Sequence, residues 1–424
     1  LGTKEDSSFN REKSLRFWLA ESPSYNFSVS ISTSLAQPLG IRALGMDIAI
    51  LGILTAIQMG SVGVGAILGI ILVMRYRYYR KKLWLFLGAV NRIGWACLIF
   101  ITLIPEDLRL EVFYLVVAVS QISGAIAGIA AGDVGGDLVS REKAVDFFGK
   151  LNSLNNAAAL VSLLISISVF LILGSGSYEA YLILYLASLA SAILSTYFLT
   201  LIGDDPRSIE AFRESTGASR ARSALAIYRK TYKEIVASSY SKGYILILIS
   251  YTIAVNIPAA LWNYYLIYNI GGDEIWITSK TATTYLVKSL ALRIWPFIIN
   301  RYGARTVFSI ALMLISPIPT IFMFSRTLAS QIALEVYSAI WWASWDLSTG
   351  LYNLYLFPRE ARPVALSIIT LATNVGASAA SIVGSMISLS IPSGSEATFI
   401  LSSIFRGLIA YAGLRKIPKL ELRV

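Results

Sequence analysis

The chain is 424 residues long, 56% hydrophobic and only 14% charged, with 36 Lys and Arg against 25 Asp and Glu for a formal charge of +11. A soluble domain averages roughly a quarter charged residues and lacks repeated apolar stretches of spanning length, so a single soluble core and a disordered chain are excluded. One cysteine, Cys97, and no histidine exclude a disulfide scaffold, zinc sites, Ser-His-Asp catalysis and imidazole proton relays.

A spanning helix needs about 20 predominantly apolar residues. That measure predicts twelve, over roughly 22–42, 47–74, 83–104, 111–134, 146–173, 177–202, 242–268, 276–298, 305–324, 328–352, 362–389 and 395–413. The expected fold is therefore an all-α polytopic membrane protein. The first span is the most polar, with Ser24, Asn26, Ser28, Ser30, Ser32, Ser34 and Gln37, which predicts a helix packed inside a bundle with a wet face. Ahead of it, residues 1–21 form a cytoplasmic segment in which Phe9, Leu15, Phe17 and Trp18 among Arg11, Lys13 and Arg16 predict an interfacial helix. No cleavable signal peptide is expected there. The longest connection, 203–241, is polar, basic and expected to be part-helical; it links a bundle of six helices (22–202) to a second (242–413), followed by a tail, 414–424.

With the amino terminus in the cytoplasm, the inner connections collect most of the basic residues, among them Arg75, Arg77, Arg80, Lys81, Lys82, Arg141, Lys143, Arg301, Arg305, Arg359 and Arg362. The outer loops hold Arg42, Arg109 and Arg326 beside Asp47, Glu106, Asp107, Glu179, Asp273, Glu274 and Glu396. This positive-inside pattern places both termini in the cytoplasm of a multi-pass plasma-membrane protein. The excess charge thus reports topology and no nucleic-acid partner is expected.

The two halves repeat weakly. Arg141-Glu142-Lys143 follows the fourth span and Arg359-Glu360-Ala361 the tenth, and fifteen residues beyond each arginine lies an asparagine, Asn156 or Asn374. Basic turns also follow the second and eighth spans. Six plus six helices with parallel repeats is an architecture of secondary transporters. The phrases Pro296-x-x-x-Asn300-Arg301-x-Gly303-x-Arg305 and Leu356-Phe357-Pro358-Arg359-Glu360-Ala361-Arg362-Pro363 extend the comparison, and the chain resembles the major facilitator superfamily over nearly its whole length. The second phrase and Asp204-Asp205-Pro206-Arg207 are similar to segments of its sugar porters. The resemblance implies that the first, fourth, seventh and tenth helices line a central cavity, and that loop charges latch a cytoplasmic gate. The chain departs from the pattern where Asn300 and Arg75 stand for the family's loop aspartate, which implies a weaker latch, and the sugar porters' paired glutamines on the seventh helix are missing.

An ionisable side chain at bilayer depth needs a partner, a wet cavity or a function. On the tenth span Glu335, Trp342 and Asp346 share a stripe with Ser338 and Thr349, flanked by Trp341 and Trp345. On the eighth, Lys288 lies on the same side as Lys280 and requires a carboxylate, Asp346 or Glu335, or water; structural pairing and solute contact are both open. The seventh carries Asn256, Pro258, Trp262, Asn263, Tyr264 and Tyr265, a proline-kinked run of amides and aromatics. Asn256, Trp262, Asn263, Lys288, Glu335, Trp342, Trp345 and Asp346 are therefore the candidate solute-binding residues, with Tyr25, Asn26, Gln37 and Gln121 as weaker ones. Arg92 lies within snorkelling reach of the cytoplasm. Asp133 and Asp137, four residues apart, are expected to form a gate with Arg80, Arg141 or Arg305, or else to relay a proton; Asn300, Arg301 and Arg359 complete the candidate gate.

The expected function is secondary active transport of a small polar organic solute by alternating access, with proton coupling through Asp133, Glu335 or Asp346 left open. A sugar-like solute and an organic cation suit these residues equally. The alternative is a transporter-like receptor or subunit that no longer transports and sits with other membrane subunits. No enzyme activity, metal site or cofactor is expected.

Overall fold

The computed structural model describes residues 10–139, 141–204, 239–357 and 362–419, and every regular element among them is a helix. Among the described residues, nine helices are long and apolar enough to cross a membrane. Three others have the length but are too polar for that criterion: α1 (Arg11–Leu44), α9 (Glu274–Tyr302) and α12 (Leu328–Tyr355). At about 1.5 Å per residue the shortest of them, 28 residues, extends about 42 Å against a hydrocarbon core of about 30 Å. The interior of the 203–241 connection lies outside the described residues.

The chain divides into two compact units, Leu1–Ala36 with Val64–Ala226, and Gln37–Gly63 with Ile227–Val424. The first unit is built from most of α1, the end of α2 (Ile48–Arg75), α3 (Arg80–Ala96) with its 3-10 continuation Cys97–Leu103, α4 (Glu106–Leu138), α5 (Arg141–Leu173) and α6 (Tyr178–Leu201). Helix α3 packs along both α4 and α6.

The polar stripe of α1 is bonded into α6. Ser28 and Ser32 Oγ lie 2.9 and 2.6 Å from Ser188 Oγ. Ser191 Oγ donates to the Ser24 carbonyl at 2.8 Å, and Tyr185 OH to that of Ser32 at 3.1 Å. In a medium without competing water such hydroxyl pairs hold helices together, and small residues let the backbones approach. The expected interfacial helix is not separate: α1 begins at Arg11 and runs through Pro23 without interruption. Trp18 is buried, 5.5 Å from both Trp84 and Phe147, in a cluster with Val134, Leu138 and Leu199. Burial against α3, α4 and α5 outcompetes an interfacial position because it removes the whole indole from water.

The second unit holds α7 (Ser239–Asn256), α8 (Leu261–Tyr265) with a π-helical turn Leu266–Ile270, α9, α10 (Ala304–Ile315), α11 (Ile318–Phe324), α12, α13 (Arg362–Ser390) and α14 (Gly394–Lys416). Helix α9 lies along α12, α7 packs on α13 and α14, and α10 packs on α12 and α14. The first turns of α2 join this unit through Ser378 Oγ, which donates to the Ala56 carbonyl at 2.9 Å.

The predicted seventh span, 242–268, is broken at Pro258. Proline has no N–H for the carbonyl of Ala254, and the Ala259 N–H bonds Asn256 at 3.2 Å, leaving the Val255 carbonyl unclaimed within the helix. Two side chains of α14, four residues apart, take these carbonyls: Ser402 Oγ donates to Ala254 at 2.7 Å and Arg406 to Val255 at 3.2 Å. Gly384 of α13 fits against the same break; a Cβ there would stand 1.7 Å from the Ile257 carbonyl oxygen.

Candidate functional site

A cavity of about 320 Å³ opens in the second unit. Helix α9 supplies Ile277, Lys280, Thr281, Thr284, Tyr285 and Lys288 to its wall. Asn263 and Leu266 come from the segment after the Pro258 break, and Glu335 from α12. The α9 residues form one face because positions three and four apart stack along a helix; Lys280, Thr284 and Lys288 make that face polar.

The ionisable groups of this wall are arranged in sequence. Lys288 Nζ lies 2.6 Å from Asp346 Oδ2, so of its two expected partners Lys288 takes Asp346. Glu335 Oε1 accepts from Thr284 Oγ1 at 2.6 Å. Lys280 Nζ sits 4.5 Å from the centroid of the Phe322 ring, a cation–π contact. Glu335 bears on it through space. Asn263 Nδ2 donates to Gln37 Oε1 at 2.9 Å, and Gln37 in turn donates to Thr55 at 3.3 Å.

The other expected solute-binding residues do not line this cavity. Trp262 packs edge-on against Phe322 and Phe399, at 4.7 and 5.0 Å, in an aromatic cluster that Tyr265 joins. Asn256 folds back to donate to the Thr252 carbonyl at 2.8 Å. Trp345 stacks on Tyr251 at 5.1 Å and contacts Phe308 at 5.2 Å, with Trp342 edge-on to it at 5.7 Å. Asp346 reaches the cavity through Lys288. Thr284 and Tyr285 were not among the sequence candidates, and Lys280 entered only through its spacing from Lys288; the four-residue period of lysine, threonine and lysine was the available signal.

In the first unit Arg80, nearly fully buried, is surrounded by three carboxylates. Its guanidinium lies 2.8 Å from Asp133, 2.6 Å from Asp137 and 2.6 Å from Asp204, with a second bond to Asp204 at 3.1 Å. Arg80 is thus the expected partner of the Asp133–Asp137 pair, and Asp204, read only as part of a loop phrase, is the unforeseen third ligand. Arg11 donates to the Asp137 carbonyl at 2.6 Å. The corresponding turn of the second unit carries no such cluster among the described residues. Asn300 and Arg301 are exposed, Arg301 over its neighbour Tyr302 at 5.5 Å, and Arg305 donates to the Leu414 carbonyl at 2.6 Å. Arg359 and the side chain of Arg141 lie outside the described residues.

Arg92 does not snorkel. It is buried and pairs with Glu21 at 2.9 Å, donates to Ser195 and to the Gly88 carbonyl, and lies 5.0 Å over the Tyr25 ring. Glu21 fell at the edge of the predicted N-terminal segment and carried no sequence signal of burial. Glu274, read as an outer-loop charge, is fully buried and takes Arg42 Nε at 2.9 Å.

No protein-family model matches the sequence, and no curated protein matches it. Solved structures do match its fold. The inward-open xylose transporter XylE from E. coli, a major facilitator superfamily proton:xylose symporter, superposes with a TM-score of 0.69 at 15% identity over 98% of each chain. A point mutant of the nucleoside transporter NupG gives 0.70 at 13% identity, over 95% of this chain and 99% of that one. A POT family transporter in complex with 5-aminolevulinic acid gives 0.71 at 14% identity over 97% of each. The chain therefore has the fold of major-facilitator-type transporters, the resemblance expected from its loops, and is a multi-pass membrane protein.

Proposed function

We propose that the protein is a secondary active transporter that moves a small polar organic solute across the plasma membrane by alternating access. The observation that carries this reading is the cavity between α9 and α12, with Lys280, Lys288 and Glu335 on its wall. Each ionisable group at bilayer depth costs about 2.5–3.5 kcal/mol on insertion scales. Three on one wall are retained where water or a solute reaches them. The cavity lies near the lower end of the usual range for small-molecule sites, roughly 300–1,000 Å³.

Twelve membrane spans, six in each half, follow if α1, α9 and α12 join the nine apolar helices. Their polarity suits this, because α9 and α12 carry the cavity wall and α1 bonds its serines into α6. The positive-inside pattern supports cytoplasmic termini. In that orientation the Arg80 cluster lies at the cytoplasmic end and forms the gate latch, which Asn300, Arg301 and Arg305 do not match in the second half. That the structural neighbours are transporters of xylose and of nucleosides and a POT family transporter supports transport over a subunit role.

Uptake of a broad solute panel into proteoliposomes, with and without a pH gradient, tests the proposal. Gradient-dependent uptake of a small polar solute is expected, with Asp346→Asn or Glu335→Gln removing the dependence on the gradient while sparing exchange. No uptake of any solute, together with stable co-purification of other subunits, overturns it.

A further inference from the structure

Resting on the transport reading, one group in the cavity identifies the class of solute. Lys288 is neutralised by Asp346 at 2.6 Å, and Glu335 holds the Thr284 hydroxyl at 2.6 Å. Lys280 differs: it lines the same cavity, yet no carboxylate lies within ion-pair distance of it among the described residues, and its ammonium lies over the Phe322 ring. Thr284, one turn along α9, occupies Glu335. A lysine at membrane depth that faces a ring and makes no ion pair has N–H groups that a solute acceptor can take up.

We propose that Lys280 is an anion-binding subsite and that the transported solute is a small monocarboxylate carrying a hydroxyl or amino group. The carboxylate meets the Lys280 ammonium, a charge-assisted hydrogen bond of the strong kind. The donor group of the solute meets the remaining lone pairs of Glu335 on the same wall. Opposite charges on one wall, Lys280 and Glu335, match a solute that carries a carboxylate at one end and a hydrogen-bond donor at the other. The Phe322 ring that faces the ammonium is itself packed against Trp262, which also packs on Phe399. A neutral sugar offers Lys280 no charged acceptor.

The test uses the full-length protein in detergent and in proteoliposomes. Lactate, gluconate and alanine are compared with their uncharged or cationic counterparts lactamide, glucose and alaninamide, by thermal stabilisation and by uptake. At least one acid is expected to raise the melting midpoint and to be taken up, with its counterpart at least tenfold weaker. Lys280→Met, which keeps the stem, is expected to abolish that preference, and Lys280→Arg to retain it. Counterparts that bind the wild-type protein as well as the acids, or no binding by any acid, overturn the proposal without recourse to a variant. If glucose or lactamide is taken up instead, the transport reading stands while the anion subsite falls. If an acid binds but no solute is taken up, the subsite stands and the transport reading falls.

Discussion

Lys288 on α9 and Asp346 on α12 meet at 2.6 Å, with 28% and 48% of their side chains exposed. The pair ties the two helices that make the polar wall, yet it remains accessible. Partly exposed pairs contribute about 1 kcal/mol or less. Lys288→Met and Asp346→Asn are therefore expected to leave thermal unfolding nearly unchanged while lowering solute uptake at least tenfold. A large drop in the melting midpoint with uptake per folded molecule preserved would assign the pair to structure alone.

The Glu21–Arg92 pair behaves in the opposite way, since both side chains are about 5% exposed or less. Removing one partner of a buried pair strands the other charge, at a cost of about 3–5 kcal/mol. Glu21→Ala is expected to lose that much stability in thermal or denaturant unfolding. The double change Glu21→Leu with Arg92→Met should recover most of it. Failure of the double variant to recover means that the Arg92 bonds to Ser195 and Gly88, and not the ion pair, hold this region.

Arg80 holds three carboxylates with a planar fork that lysine does not reproduce. Arg80→Gln brings Asp133, Asp137 and Asp204 together without their shared cation. It is expected to destabilise the protein more than any single Asp→Asn change, and Arg80→Lys to fall between. Adding Asp133→Asn to Arg80→Gln should restore part of the loss by relieving like-charge repulsion. The order of melting midpoints across these variants decides the matter.

At the break in the seventh span, Ser402 takes the carbonyl that Pro258 leaves free. Ser402→Ala is expected to cost about 1–3 kcal/mol, the penalty for an unsatisfied buried acceptor. Pro258→Ala restores an N–H to the same carbonyl, so Ser402→Ala should cost much less in that background. Equal costs in the two backgrounds would show that the serine contributes through packing. The comparison requires only unfolding midpoints of four proteins.

The reach of the sequence follows from the range of the forces involved. Helix lengths and ends are set by local apolar runs and turn residues, so α6 at Tyr178–Leu201 and α13 at Arg362–Ser390 lie within a residue or two of expectation. The break near Pro258 was legible because proline removes its bond locally. That Lys288 needed a carboxylate or water was legible too, because the cost of an unpaired charge depends on depth and not on topology.

Which carboxylate it takes was not legible. Asp346 and Glu335 share one stripe of α12, and only the register of α9 against α12 gives Asp346 to Lys288 and leaves Glu335 to Thr284. The same holds for Asp204 beside Arg80, 124 residues apart, and for Glu21 beside Arg92, 71 apart. The sequence alone determined the membrane class, most helix positions and some of the charges in want of partners, Lys288 among them, but not Glu21, Asp204 or Glu274. Tertiary packing decided the partners, because a side-chain contact reaches only a few ångströms and the chain distance between its members leaves no local trace.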